Sequence, residues 1–166
     1  MLFSGWMLLT GYLGNSNKKK GMNLCQIAAG IAKKYFVKKS VVGDKYSQFF
    51  IGTMCQHGFG FRKNVETAMK WYNLSALKGL SMAQNCLGEI YEHEPANYEK
   101  SINFFRAAGN VGNSKAQFHL GVIHLKGLCG IPQRIDVGIH WLRVAADNGN
   151  SLACLALLIF LTFEIF

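Results

Sequence analysis

The sequence predicts an all-α fold in which antiparallel helix pairs stack into a solenoid. The segment "SMAQNCLGEIYEH" from Ser81 recurs as "SKAQFHLGVIHLK" from Ser114, with Ser, Ala, Gln, Leu and Gly in the same places. A second series, "WYNLSALKG" from Trp71, "FFRAAGNVG" from Phe104 and "WLRVAADNG" from Trp141, recurs at intervals of 33 and 37 residues. A repeat of this length is typical of stacked helical modules.

The N-terminal part predicts a degenerate first repeat. Leu8, Tyr12, Leu24 and "QIAAG" from Gln26 lie near the spacings of a repeat, and the insertion "KKYFVKKSVV" from Lys33 prolongs its helix. The opening "MLFSGWMLLTGYLG" is apolar, so a signal peptide or anchor is the competing interpretation. No basic residue precedes the apolar run and no small-x-small cleavage site follows it, which makes that alternative the weaker one.

Three complete repeats and part of a fourth follow. The connector between the two helices of a repeat changes in length while the flanking segments stay in register, as a stack of similar modules allows. The predicted organisation is a degenerate first repeat plus a basic helical insertion at 1–45, repeats at 46–80, 81–113 and 114–150, and the first helix of an incomplete fourth repeat at 151–166.

Within a repeat, the spacing of apolar residues predicts two helices. Ala83, Leu87 and Tyr91 recur every four residues in the first helix, and apolar residues follow every third position from Ile102 in the second. Glycine interrupts the first helix of each complete repeat, as at Gly88, although it costs about 0.5–1 kcal/mol relative to alanine. Close approach of another helix at that point is the expected reason.

The combined pattern A-x-x-x-L-G-x-x-Y, a glycine-containing loop and A-x-x-W-Y-x-x-A-A-x-x-G resembles the Sel-1-like repeat, a relative of the tetratricopeptide repeat. The resemblance covers roughly residues 46–163 and implies a right-handed α-solenoid that acts as a protein-interaction scaffold or adaptor. Glu94 and Pro95 depart from the pattern where other repeats carry loop glycines. Secreted members pair cysteines between repeats, but Ala146 stands where Cys154 would need its partner, so a hydrolase of the cysteine-rich kind is the less expected alternative.

The first helices are the expected binding surface. In tetratricopeptide-like packing, residues between the core positions of these helices line a concave groove that takes a partner peptide or domain. Phe49 and Phe118 are the expected anchors, because exposed aromatic side chains often dominate an interface. A groove partly filled by the chain itself, or by its apolar last helix, is the alternative. By register the groove residues are Tyr46, Phe49, Thr53, Gln56, Met82, Asn85, Glu89, Glu92, Lys115, Phe118, Val122 and Leu125.

Candidate catalytic and metal-binding residues do not form a convincing constellation. His119 and His124 are five residues apart and so on different helix faces, unlike the i, i+4 ligand pairs of helical metal sites. His124 also takes the position of Tyr91 in the preceding repeat, where a core side chain is expected. Cys55 is near His57 but occupies the same core position, where a thiol is inert. We therefore predict no metal, no cofactor and no catalysis.

The charge distribution bears on the partners. Residues 1–45 hold eight lysines and one acid, Asp44, with lysines placed beside aromatic residues. A solvated helix face is the leading interpretation, and contact with a membrane surface through this basic region and the apolar ends is the alternative. Nucleic acid is not expected, because arginine is absent there. Five cysteines without a CxxC pair indicate a reducing compartment, so the expected location is the cytoplasm.

Overall fold

Eight α-helices follow one another along the part of the chain that the computed structural model describes. This part is the backbone of residues 18–163 and the side chains of residues 30–160 and 162, except for residue 95. No strand occurs within it, so the predicted all-α class is confirmed. The helices are α1 Lys18–Val41, α2 Lys45–His57, α3 Val65–Ala76, α4 Ser81–Glu92, α5 Tyr98–Asn110, α6 Ser114–Lys126, α7 Ile135–Asp147 and α8 Ser151–Phe163.

Polar residues and glycines set the helix boundaries. The side chain of Asn64 accepts a hydrogen bond from the Thr67 N–H at 2.7 Å, and that of Asn113 accepts one from the Ala116 N–H at 3.1 Å. These bonds satisfy N–H groups that have no partner inside the helix. Gly58 ends α2 with φ of 80°, in the left-handed region that favours glycine. Local sequence therefore decides where these helices begin and end.

The chain divides into two compact units, and the first extends to Lys78. In this unit α2 and α3 form an antiparallel pair that closes at Gly52, where an added Cβ would lie 2.7 Å from the Tyr72 ring. Helix α1 packs on α2 through stacked rings of Phe36 and Phe50, whose centroids are 4.9 Å apart. The inserted residues from Lys33 onward continue α1 as helix. Leu8 and Tyr12 lie outside the described residues, as does the side chain of Leu24.

The second unit begins at Gly79 and contains α4 to α8. An added Cβ at Gly88 of α4 would lie 2.7 Å from the Phe105 ring of α5, and one at Gly121 of α6 would lie 2.7 Å from Leu142 of α7. Each helix pair therefore closes over a glycine, which confirms the expected close approach. Two core clusters result, one of Phe105, Ala108, Ala116, Leu120 and Ile123 and one of Leu142, Ala145 and Ala153.

Side-chain amides link successive helix pairs within this unit. The amide of Gln117 on α6 donates to the Gly109 carbonyl at the end of α5, at 2.8 Å. Asn148, after α7, donates to the Gln117 carbonyl oxygen at 2.9 Å, and Asn150 donates to the Ser114 carbonyl at 3.0 Å. A buried carbonyl without a partner would be costly, so the Gln117 amide stabilises the junction between these two helix pairs.

The last helix differs from the earlier first helices. Helix α8 packs on α7, and Leu152, Leu155, Leu158 and Ile159 on it are exposed. Among the described helices, none combines the length and the apolar character needed to cross a membrane.

Candidate functional site

The predicted groove residues of the first unit lie on α2 and are largely engaged by α3. The Tyr72 hydroxyl donates to the Gln56 carbonyl oxygen at 2.6 Å and lies 3.3 Å from the Thr53 hydroxyl. Phe49 is half-buried, with its ring centroid 5.8 Å from that of Tyr72. Tyr46 alone of these four predicted residues is exposed. The expected exposed anchor at Phe49 is thus partly covered, because its ring turns toward the paired helix.

Helix α4 of the second unit carries four more predicted groove residues. Met82 is exposed, whereas Asn85 is only 4% exposed and donates to the Glu89 carboxylate at 2.8 Å. Glu89 and Glu92 are half-buried. Asn85 therefore orients Glu89 and offers little surface of its own to a partner.

Glu89 and Glu92 meet a side chain from the next first helix, and the three form a carboxylate–imidazole cluster. His119 on α6 places Nε2 3.5 Å from the Glu89 carboxylate and Nδ1 3.4 Å from the Glu92 carboxylate. The imidazole also stacks on Phe105, with ring centroids 4.5 Å apart and planes within 7° of parallel. Both ring nitrogens face carboxylates, so both act as donors when the ring is protonated.

The cluster shifts the pKa of its members. Burial lowers the pKa of His119, but hydrogen bonds to Glu89 and Glu92 and their negative charges outweigh burial and raise it to about 9. The hydrogen bond from His119 lowers the pKa of Glu89, assisted by the bond from Asn85. The imidazole is therefore a cation at neutral pH and joins α4 to α6 electrostatically. A group that keeps its proton to about pH 9 is poorly suited to acid–base catalysis near pH 7.

An open cleft lies beside this cluster on the second unit. It encloses about 490 Å³ and combines charged, polar and apolar side chains. Phe118 is half-buried and packs against the Leu142 cluster, as does Leu125, so neither is the fully exposed groove residue that was expected. Both side chains pack against residues of α7 and α8. The position of a residue in its own helix does not reveal such contacts with other helices. The lining residues are Glu89, Ser114, Lys115, Phe118, His119, Gly149, Asn150, Ser151 and Leu152.

Of the twelve predicted groove residues, the cleft brings three together: Glu89, Lys115 and Phe118. Val122 is half-buried on α6 and does not line the cleft. The sequence analysis rejected His119 as a partner of His124 in a metal site and did not connect it with the two carboxylates. The pattern that could have revealed the cluster is a carboxylate pair three residues apart on one first helix and an imidazole on the next, because such helices lie side by side.

The other candidate residues are buried. Cys55 is 2% exposed, and burial raises the pKa of its thiol, which favours the unreactive protonated form. His124 is buried as expected; burial, followed by the charge of Arg106, lowers its pKa. Within the described residues, no three His, Cys, Asp or Glu side chains are grouped so that they could hold a metal ion.

Comparison with known proteins places these features in a family context. The family model described as "Sel1 repeat" matches residues 45–80, 81–113 and 114–150. A putative sel1-like repeat-containing protein of Acanthamoeba polyphaga mimivirus is 41% identical over 110 residues, which are 66% of this chain and 20% of the viral protein. DAP3-binding cell death enhancer 1 of Rattus norvegicus is 30% identical over 89 residues, 53% of this chain and 17% of the rat protein.

A solved structure has the same fold. The crystal structure of a Sel1 repeat protein from Oxalobacter formigenes superposes with a TM-score of 0.65 at 27% identity, covering 75% of this chain and 95% of that one. The predicted α-solenoid class is thereby confirmed. The chain spans a fifth or less of the length of the two curated relatives that it matches above.

Proposed function

This chain belongs to the Sel1 repeat family, and on that premise we propose that it is a protein-interaction scaffold that binds a partner segment in the cleft formed by α4, α6 and α8. The observation that carries the proposal is the composition of the cleft. The half-buried Phe118 contributes apolar surface to its lining, and Lys115 and Glu89 contribute opposite charges. An apolar centre with a polar rim is the usual arrangement of a protein-binding site.

The charged groups would orient the partner. Lys115 is exposed, and the Glu89 side chain keeps 42% of its surface although it pairs with His119. Complementary charges at a rim contribute more to orientation and association rate than to affinity. A segment with an apolar anchor between an acidic and a basic residue fits this surface.

Two further observations support the scaffold role. A relative is named for binding another protein, DAP3, which favours a protein partner for this chain too. Burial raises the pKa of the Cys55 thiol, which argues against this residue as a catalytic nucleophile and is consistent with a scaffold. The cytoplasm stays the predicted location.

The test uses surface substitutions that leave the packing intact. Lys115→Glu combined with Leu152→Ser alters two exposed residues of the cleft, and Lys126→Glu combined with Leu158→Ser alters two exposed residues outside it. Partners captured from source cells with the wild-type chain are purified and titrated against all three proteins.

We expect the cleft variant to bind the captured partner at least about tenfold more weakly, because the reversed charge would repel the group that Lys115 attracts and an apolar contact is lost at Leu152. The control variant should bind like the wild type. Equal affinity of the wild type and the cleft variant would place the interaction elsewhere on the chain and refute the proposal.

A further inference from the structure

Helix α1 presents a second surface that the proposed scaffold function does not use. Residues three or four positions apart share one helix face, and five such residues from Ile31 to just beyond the helix end are all exposed. Ile31 is 66% exposed and Val42 is 85% exposed, and they lie at opposite ends of this face with a tyrosine and two lysines between them. We call this surface the outer face, and it consists of Ile31, Lys34, Tyr35, Lys38 and Val42.

Among the described side chains of α1, those on the opposite side make the contacts within the first unit. Phe36 stacks on Phe50 of α2, and Ser40 is buried with its hydroxyl donating to the Val37 carbonyl at 2.8 Å. Lys33 donates to the Gly60 carbonyl at 3.1 Å and lies over the Phe61 ring at 4.3 Å. The helix is therefore held by its inner side, and packing within this unit does not require the outer face.

The outer face combines positive charge with aliphatic surface. Lys34 and Lys38 are exposed. A third lysine, Lys39, borders the face, and its Nζ lies over the Tyr35 ring, 6.0 Å from the ring centre. Asp44 is the only acidic residue in the sequence from 1 to 65, and its carboxylate already accepts hydrogen bonds from the Ser47 N–H and hydroxyl, at 2.8 and 2.5 Å. The Asp44 carboxylate also lies near Lys39, so three lysines against one acid leave this surface with a net positive charge.

We propose that the outer face of α1 binds the surface of a membrane that contains anionic phospholipid. Lysine side chains extend their ammonium groups to headgroup phosphates while aliphatic and tyrosine side chains enter the boundary with the acyl chains. The negative charge of anionic lipid attracts a basic segment that comes within about one Debye length of the membrane surface. This contact is additional to partner binding in the cleft of the second unit and does not depend on it.

The composition of the face favours lipid over nucleic acid. Ile31 and Val42 gain nothing from phosphates in solution, but they lose water when they enter a bilayer interface. No arginine lies on the face, whereas base recognition relies strongly on the arginine fork. An RNA-binding surface would be expected to replace these aliphatic side chains by polar or stacking ones.

The test measures co-sedimentation of the full chain with vesicles of phosphatidylcholine alone and of phosphatidylcholine mixed with phosphatidylserine. One variant reverses charge, Lys34→Glu with Lys38→Glu, and its matched control reverses two exposed lysines off the face, Lys63→Glu with Lys70→Glu. A second variant removes apolar surface, Ile31→Ser with Val42→Ser, matched by Leu74→Ser with Leu77→Ser, which are also exposed. Circular dichroism verifies that each variant is folded.

We expect binding only to the phosphatidylserine vesicles, and we expect it to fall steeply as salt is added. The charge-reversal variant should bind about tenfold or more weakly and the apolar variant severalfold more weakly, while both controls bind like the wild type. Failure to bind phosphatidylserine vesicles, or equal losses in variants and controls, would overturn the proposal. The proposal would also be overturned if the chain bound single-stranded RNA more tightly than the phosphatidylserine vesicles, and if that binding required Lys34 and Lys38 but was unchanged in the apolar variant.

Discussion

Replacing Gly88 by alanine should destabilise the protein, whereas the same replacement at Gly30 should stabilise it. Both glycines lie inside helices, where alanine is favoured by about 1 kcal/mol. At Gly30 an added Cβ meets no atom within 4 Å, so the helix gains up to about 1 kcal/mol. At Gly88 the new Cβ would lie 2.7 Å from two carbons of the Phe105 ring.

The Phe105 ring is fully buried and stacks on His119, so a shift away from α4 would disturb side chains that already pack on it. Overpacking of this kind costs about 1–3 kcal/mol, which offsets or exceeds the gain in helix propensity. The net change expected for Gly88→Ala is a loss of about 0–2 kcal/mol. The free energy of unfolding of the two variants should therefore differ by about 1–3 kcal/mol, and this difference measures the close approach of α4 and α5.

Denaturant unfolding followed by circular dichroism gives both values, with the slope checked for each variant. A double variant tests the assigned contact. Phe105→Leu should relieve the clash, so Gly88→Ala combined with Phe105→Leu should cost less than the sum of the single changes. Additive costs, or a Gly88→Ala protein stabilised as much as the Gly30→Ala protein, would refute the reasoning that this glycine is required by the facing ring.

Two further predictions concern polar groups of the second unit. Because the pKa of His119 is raised from 6.5 to about 9, its stabilisation is complete below pH 6.5 and disappears as the pH rises through about 9. The unfolding free energy should fall by about 1–3 kcal/mol over that range, and the lower end allows for solvent screening at the half-exposed Glu89. A His119→Gln protein with the same pH dependence as the wild type would contradict the assignment. Gln117→Leu should cost about 1–3 kcal/mol because it leaves the Gly109 carbonyl buried without its donor. Exposed Gln133→Leu, the control in the same denaturation experiment, should change stability by no more than about 0.5 kcal/mol, and equal losses would count against a special role for Gln117.

Local sequence was sufficient to predict the helices and their repeated arrangement. Apolar residues at helical spacing and segments that recur at a fixed interval can be recognised without knowing what packs on them. The recurrence of Gly52, Gly88 and Gly121 also predicted close helix contacts, because a glycine inside a helix costs stability unless space is needed there. The family resemblance followed from the same residues.

The site was decided by contacts between helices that are distant in sequence. The Glu89–His119–Glu92 cluster forms because α4 and α6 lie side by side, and it raises the pKa of a histidine whose own helix contains no acidic residue. Phe118 is drawn toward the core by α7 and α8, so helix register alone overstated its exposure. Periodicity specifies which face of a helix turns inward, but burial and pKa depend on the side chains that other helices bring to that face, and only the tertiary structure shows them.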